Sequence, residues 1–548
     1  MDGYLGIDWN RIIKGMVTRL ENEGLNAKVF DFSCYYRNPS EIDRIADHYT
    51  SNDPHFGFVY GGKIESFLDS NLIIKLKKHL KHLKGSAPSQ ALVAICFGCG
   101  SAIPFLRKLY DYILYFDTTR EKLLNISEEK AVYLLGSDDK AVHQFLKRFY
   151  YVDSQALDRL KKVLLGMMDF YIDGNDANDL KIMSRDTYEG LLRTLVQYPI
   201  SVKPLYYPVV WGGNWLKKVK NLPDSMVNSG QGFIVPSENA VVIAVGSTKI
   251  EIPFHNLVWG ERVNLMGKRI SDRFHGRFPI TYYYDDGYDG GDMAVQVHPN
   301  GAYMRKCFNE MLRQDESYYI LEAGMEAKTY LGLKEGADLQ EFYNKSVKAE
   351  KEGIPFDHNS YINGLLTARG DLLLIPAGTV HASGRNQVVL EIDGYVSSYG
   401  HGYTFHIYDY LRPNLDGKLR SIEIEHSFKV LKKSRNERWV SRNLKQQPRT
   451  IRKGEGWAEL LLGRLKMMFY EIRRLDFSSK IDDNTDGQFH MLTLVEGDRV
   501  MIQSNNDEEK RCTLKFPDTL LIPACFGGYS IMNLGGKPCK VIKTLIER

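Results

Sequence analysis

The chain has 548 residues, with 72 lysines and arginines against 68 aspartates and glutamates and a formal charge of +4. The signs are interspersed, which excludes the one-sided basic footprint of a nucleic-acid binder, and the length exceeds what one core can hold, predicting two to four domains. Seven cysteines spread over so long a chain predict reduced thiols and a cytoplasmic protein.

The start, Met1-Asp2-Gly3-Tyr4, lacks the basic and apolar regions of a leader peptide. The longest uncharged stretch, near Ala91 to Leu106, is broken by glycines and too short to span a bilayer, so no membrane contact is expected. Cys96-Phe97-Gly98-Cys99 is a lone Cys-x-x-Cys with no second pair, and buried thiols are expected there rather than a redox or zinc site.

Residues 1–200 alternate helix-like and strand-like segments. Ile12 to Leu25 is amphipathic, Ala27 to Asp31 is a short strand, and Leu72 to Leu83 is a basic helix. Ala91 to Cys96 and Tyr112 to Asp117 read as buried strands, and helices are expected between Glu128 and Met168. Such alternation predicts an α/β domain with a parallel sheet. The order of pieces faintly resembles a uridine-kinase-like P-loop fold, which needs a glycine loop and a lysine to hold phosphates. Here the matching stretch is Gly3-Tyr4-Leu5-Gly6-Ile7-Asp8-Trp9-Asn10, with Trp9 at the lysine position and no strand expected before it. The resemblance therefore implies a degenerate domain. Gly98-Cys99-Gly100-Ser101 follows a strand and could cradle an anion, although a plain strand-to-helix turn is the commoner explanation.

Residues 205–548 look mostly β, with one charged helical insertion from Leu339 to Lys351. Met293 to His298 alternates like a strand, putting Gln296 and His298 on one face. Gly370 to His381 is an apolar β run ending in a Pro-x-Gly turn that delivers His381. Two imidazoles with an oxygen donor suit a divalent metal such as zinc, and Glu316, opening another strand-like run, is the natural fourth ligand. Asp371 to Ala377 recurs as Asp518 to Ala524, but His381 aligns with Gly528, so a second barrel without its metal histidine is expected. The predicted domains are 1–200, 205–425 and 426–548: α/β, metal-binding barrel, and metal-free barrel.

Gln-x-His-Pro, the downstream glutamate and Pro-Ala-Gly-Thr-Val-His-Ala resemble the zinc site of type I phosphomannose isomerases of the cupin superfamily. The similarity extends from Tyr207 to the C-terminus through Phe278-Pro279-Ile280, Val389-Leu390-Glu391-Ile392 and Thr404 to Tyr410. It implies two cupin barrels, one Zn2+ per chain on Gln296, His298, Glu316 and His381, and an aldose–ketose isomerase of mannose 6-phosphate. Its proton-handling position falls at Glu391, which could equally be a structural hydrogen-bond acceptor; His406, as an imidazole, could be a base or a satisfied strand histidine.

The cations of that family are not preserved. Its lysines fall at Gln314 and near Tyr283, and its arginine at His406; Arg412 and Arg420, with Arg385 and Lys418, are the candidates to compensate. Charge-assisted contacts to phosphate are about twice as strong as neutral ones. The hydroxyls of Tyr282, Tyr283 and Tyr284 would suit an uncharged sugar. Three outcomes stay open: a mannose-6-phosphate isomerase, a metal-dependent isomerase of another or unphosphorylated sugar, and a non-catalytic sugar-binding or regulatory protein. His401 and Tyr403 lie in an insertion relative to the family and could line the pocket or face solvent, and Trp211 is expected to pack the first barrel.

Overall fold

The computed structural model describes residues 1–547 except 54, 86–90, 129–132, 138–141, 235–237, 311–312, 395–401 and 421. Two compact units emerge: Met1–Arg193 with Ala240–Gly260, and Thr194–Asn239 with Glu261–Arg548. The segment Ala240–Gly260, a hairpin and a helix, thus groups with the N-terminal unit, which a single division near residue 200 does not anticipate.

In the N-terminal unit the strands Asp2–Gly3, Leu114–Asp117 and Phe170–Asp173 are parallel neighbours, with Lys181–Ser184 antiparallel at the edge. Asn26–Asp31 pairs in parallel with Leu92–Phe97. Main-chain bonds from Met1 N to Cys96 O and from Gly98 N to Met1 O tie the two groups together. A strand does precede the glycine loop, although only two residues long.

The loop itself is filled from within. Trp9 opens the helix Trp9–Asn22 and packs its ring on Phe97 and Phe116. A Cβ at Gly6 would strike Ile126 and Leu123, so apolar side chains cover the turn where phosphate would sit. The Gly98–Ser101 cradle holds an internal anion: Asp2 accepts from Gly100 N at 3.0 Å and Ala102 N at 2.7 Å. Asp117, at a strand's C-terminal end, is bonded by Lys161 at 2.7 Å, Tyr171 at 3.0 Å and Asn256 at 2.8 Å. The kinase-like reading gains no support from this interior.

The other unit contains two double-sheet barrels. In the first, one sheet runs Leu372–Ile375, Glu316–Ala323, Gln387–Gly394, Ile280–Asp286, Gln231–Ile234 and Leu205–Tyr207. Its partner sheet runs Ile362–Leu366, Lys328–Leu333, His381–Ser383, Val295–Val297 and Phe405–Tyr408. The second barrel pairs a six-stranded sheet of segments between Arg449 and Ile546 with a four-stranded one between Lys480 and Asn533, around Leu475, Leu492, Ile502, Ile522 and Val541. Besides the expected helix Leu339–Glu352, short helices such as Gly301–Phe308 and Glu437–Asn443 interrupt the β structure, so the insertion is not the sole helix.

The two barrels share a register. Glu316 lies opposite Ile375, and His490 opposite Ile522, the matching residue of the repeat. Glu391 lies between Tyr318 and Tyr283; Lys543 lies between Leu492 and Arg473. The same backbone therefore presents a different set of interior side chains in each barrel.

Candidate metal centre

Alternation with period two decides which side chains meet inside the first barrel. Gln296 pairs with His381 on one side and His406 on the other. Antiparallel partners share a face, so the three stand in a row, while Val295 and Val297 pack fully buried on the opposite face. His298 follows the strand and Glu316 opens its own, both buried.

These side chains converge on one point. His298 Nε2 lies 2.8 Å and His381 Nε2 2.7 Å from the same Glu316 Oε2, and the Gln296 amide is 3.2 Å from His381 Nε2. The far ring nitrogens settle the tautomers: His298 Nδ1 meets the Tyr403 carbonyl at 3.2 Å, and His381 Nδ1 the Thr379 carbonyl at 2.9 Å. Nδ1 of each ring is thereby taken up as a donor to a carbonyl, which leaves each Nε2 directed at the carboxylate oxygen. Two imidazole nitrogens closing on one carboxylate oxygen at such distances are met by a proton or a metal ion between them. The ligand atoms of His298, Glu316 and His381 lie within 4.8 Å of one another, and a tetrahedral ion with ~2 Å bonds would draw its donors to about 3.3 Å apart. Turning the Gln296 amide over would present its oxygen. The residues fit a divalent ion.

Further carboxylates face the same space. Glu391 and Asp393 are two apart on one strand, and Asp285 follows Tyr283 by two on the next, so all share the inner face. Their hydrogen-bond donors are amides: Gln314 Nε2 reaches Asp393 at 2.9 Å, and Gln231 Nε2 reaches Asp285 at 3.1 Å. Burial first, then Glu316 and the other carboxylates, holds Glu391 and Asp393 well above the usual range. Burial also pushes Asp285 up to about 6. For Glu316, burial works upward but charge on His381 and His298 outweighs it, leaving its carboxyl well below the usual range. Two like charges 4 Å apart repel by about 4 kcal/mol at an effective dielectric near 20. Four ionised carboxylates cannot coexist here without cations.

Asp285, Asp393 and Tyr318 were not among the residues anticipated from sequence, although spacing by two from Tyr283, Glu391 and Glu316 was the available signal. Of the three tyrosines, only Tyr283 faces inward, opposite Glu391. Tyr282 and Tyr284 are fully buried toward the second barrel, bonding Thr544 and Thr519. A strand cannot turn three consecutive side chains to one side, so the expected cluster of pocket hydroxyls reduces to one.

Near the barrel edge, His406 Nδ1 meets Glu423 at 3.2 Å, and Arg420 Nη1 donates to His406 Nε2 at 3.4 Å. Arg412 binds Asp409 through Nε at 3.1 Å and Nη2 at 2.5 Å, and Arg420 Nε lies 3.5 Å from Asp409. Tyr403 and Trp211 are buried; His401 lies outside the described residues. Cys96 and Cys99 are free thiols, which burial pushes up, as expected of structural cysteines.

In the second barrel Gly528 supplies no side chain, and the position of Glu316 is taken by His490. Lys543 there binds Glu459 at 2.7 Å and Asp483 at 2.6 Å, while His490 Nδ1 meets Tyr529 at 2.8 Å. Among the described residues, both groups able to hold a metal lie in the first barrel.

The chain is 26% identical over 236 residues to mannose-6-phosphate isomerase ManA of Bacillus subtilis, covering 42% of this chain and 68% of that protein. It is 25% identical over 238 residues to the mannose-6-phosphate isomerase of Streptococcus mutans, covering 42% and 67%. The chain is similar to mannose-6-phosphate isomerases. A crystal structure of the Bacillus subtilis enzyme aligns with 64% of this chain and 100% of that one, at 19% identity and a TM-score of 0.49. Residues 1–197 match the family described as a domain of unknown function, DUF8485. Among the described residues no helix is long and apolar enough to cross a membrane.

Proposed function

We propose that the chain is a zinc-dependent aldose–ketose isomerase of a mannose-like sugar. The observation that carries this is the meeting of His298 Nε2 and His381 Nε2 at one oxygen of Glu316, in a barrel that also holds Glu391. Similarity to mannose-6-phosphate isomerases supports the same class of reaction.

Isomerisation moves a proton between C2 and C1 of the sugar. Gln296, His298, Glu316 and His381 would hold the ion, one per chain, and two imidazoles favour zinc over harder metals. When bound, it supplies Lewis-acid polarisation of the C1 and C2 oxygens. Glu391 is the group to take the proton at one carbon and return it at the other. His406 contacts the sugar's far end rather than acting as a base, because its ring nitrogens face Glu423 and Arg420. Tyr283 and Gln314 contribute a hydroxyl and an amide, with Arg412 and Arg420 at the rim.

One observation favours an unphosphorylated sugar over mannose 6-phosphate. The two positions nearest the carboxylates, Gln314 and Tyr283, carry no charge, and the rim arginines are already engaged by Asp409. The test is solvent deuterium entering C1 and C2, followed by NMR, with free mannose and mannose 6-phosphate and zinc-loaded protein. Exchange into free mannose is expected to exceed that into the phosphate ester. His381→Ala should lose the ion and the exchange; Glu391→Gln should keep the ion and lose at least a hundredfold in rate, about 2.7 kcal/mol. No exchange into any aldose would refute the isomerase reading.

A further inference from the structure

Glu316, Glu391 and Asp393 each offer an oxygen, and these three lie within 4.8 Å of one another. Glu316 also belongs to the imidazole group, so an oxygen-only group adjoins a mixed one through a shared carboxylate. A fourth carboxylate points the same way: Asp285 is 1% exposed, reaches Glu391, and its Oδ2 has no donor. Asp393 is fully buried, and its Oδ1 also lacks a partner. The donors that do arrive are the neutral amides of Gln314 and Gln231.

Geometry sets the requirement: the carboxylates of Glu316, Glu391 and Asp393 converge within 4.8 Å, and Asp285 Oδ2 and Asp393 Oδ1 beside them have no donor. A cation among these buried oxygens would satisfy them. The groups acting most strongly on Glu391, Asp393 and Asp285 are other carboxylates and amides, with no lysine or arginine among them. We infer that a second divalent cation binds between Glu316, Glu391 and Asp393, beside the imidazole-held ion and sharing Glu316 with it. An all-oxygen donor set selects a hard cation of the magnesium, manganese or calcium kind over zinc. The inference rests on that reading in sharing Glu316 and Glu391 with the proposed isomerase centre, and the test separates the two by reading metal binding alone.

The full chain, stripped by a chelator and reloaded with one equivalent of zinc, is titrated with Mn2+ while free Mn2+ is read by its paramagnetic resonance. One Mn2+ per chain should bind in addition to zinc. Asp393→Asn should weaken Mn2+ binding at least tenfold yet keep zinc at one per chain; should that variant not fold, Glu391→Gln reads the same site. Zinc bound while Mn2+ stays free would mean that protons neutralise the carboxylates, overturning this inference and leaving the isomerase centre standing. Mn2+ binding undiminished in both variants overturns it equally. Loss of zinc with Mn2+ retained, as expected in His381→Ala, supports the oxygen site independently of the imidazole one.

Discussion

Gln314 stands two residues before Glu316 and gives its amide hydrogen to Asp393 at 2.9 Å. His406 stands beside Gln296, between Glu423 and Arg420. Both are positions where the resemblance to phosphomannose isomerases implies positive charge, and both touch the segments that build the candidate metal centre. If these two neutral or titratable groups set substrate choice, Gln314→Lys with His406→Arg should raise kcat/KM for mannose 6-phosphate at least tenfold, about 1.4 kcal/mol. A buried lysine next to Asp393 would be paired rather than isolated, so the variant should fold. Steady-state kinetics on free and phosphorylated mannose decide it. No gain would mean that Arg412 or Arg420 leaves Asp409 to bind phosphate.

At the scale of elements, the two barrels show one register carrying two chemistries. Where the first places Glu316, Glu391 and Tyr283, the second places His490, Lys543 and Arg473. The second set forms a closed ion cluster with Glu459 and Asp483. Burial first, then nearby Lys543, lowers the His490 imidazole to about 3. An unfolded histidine titrates near 6.5, so between that pH and about 3 the unfolded chain binds the extra proton and stability falls as pH drops. Glu459 acts in the same sense at lower pH: Lys543 and Arg452 outweigh burial and bring it to about 2, so its contribution is lost on acidification through that range. The raised carboxyls of the first barrel act oppositely, so the comparison must be internal. His490→Gln should flatten the acid loss of melting temperature between pH 6.5 and 4.5 relative to wild type. Parallel melting curves that stay offset by a constant amount would disprove it.

For the molecule as a whole, the N-terminal unit is an α/β sheet whose phosphate-binding places are closed by its own residues. Trp9 packs into aromatic rings, Asp2 fills the amides of Gly100 and Ala102, and Lys161 is held by Asp117. Each would have to move for a nucleotide to bind. Ligand binding raises stability by RT ln(1 + [L]/Kd), so about 1 mM MgATP should leave the melting of this unit unchanged, with no phosphate released. A rise in melting temperature, or turnover, would show that the strand ends open in solution.

The zinc-type ligands were legible because they sit in local motifs: period two placed Gln296 with His298, and the Pro-x-Gly turn delivered His381. The repeat from Asp371 to Ala377 likewise disclosed the second barrel, and Gly528 its missing histidine. Local patterns could not say which neighbouring strands meet. Only the pairing of strands brought Asp285 to Glu391, and only the fold joined Arg420 to His406. Only the fold attached Ala240–Gly260 to the N-terminal unit and set Asp2 into the glycine turn. Sequence alone named the candidate ligands, since they sit in motifs spaced within a strand or turn. The charge of the pocket was decided by tertiary structure, because it sums side chains that lie far apart along the chain and meet only across the sheet.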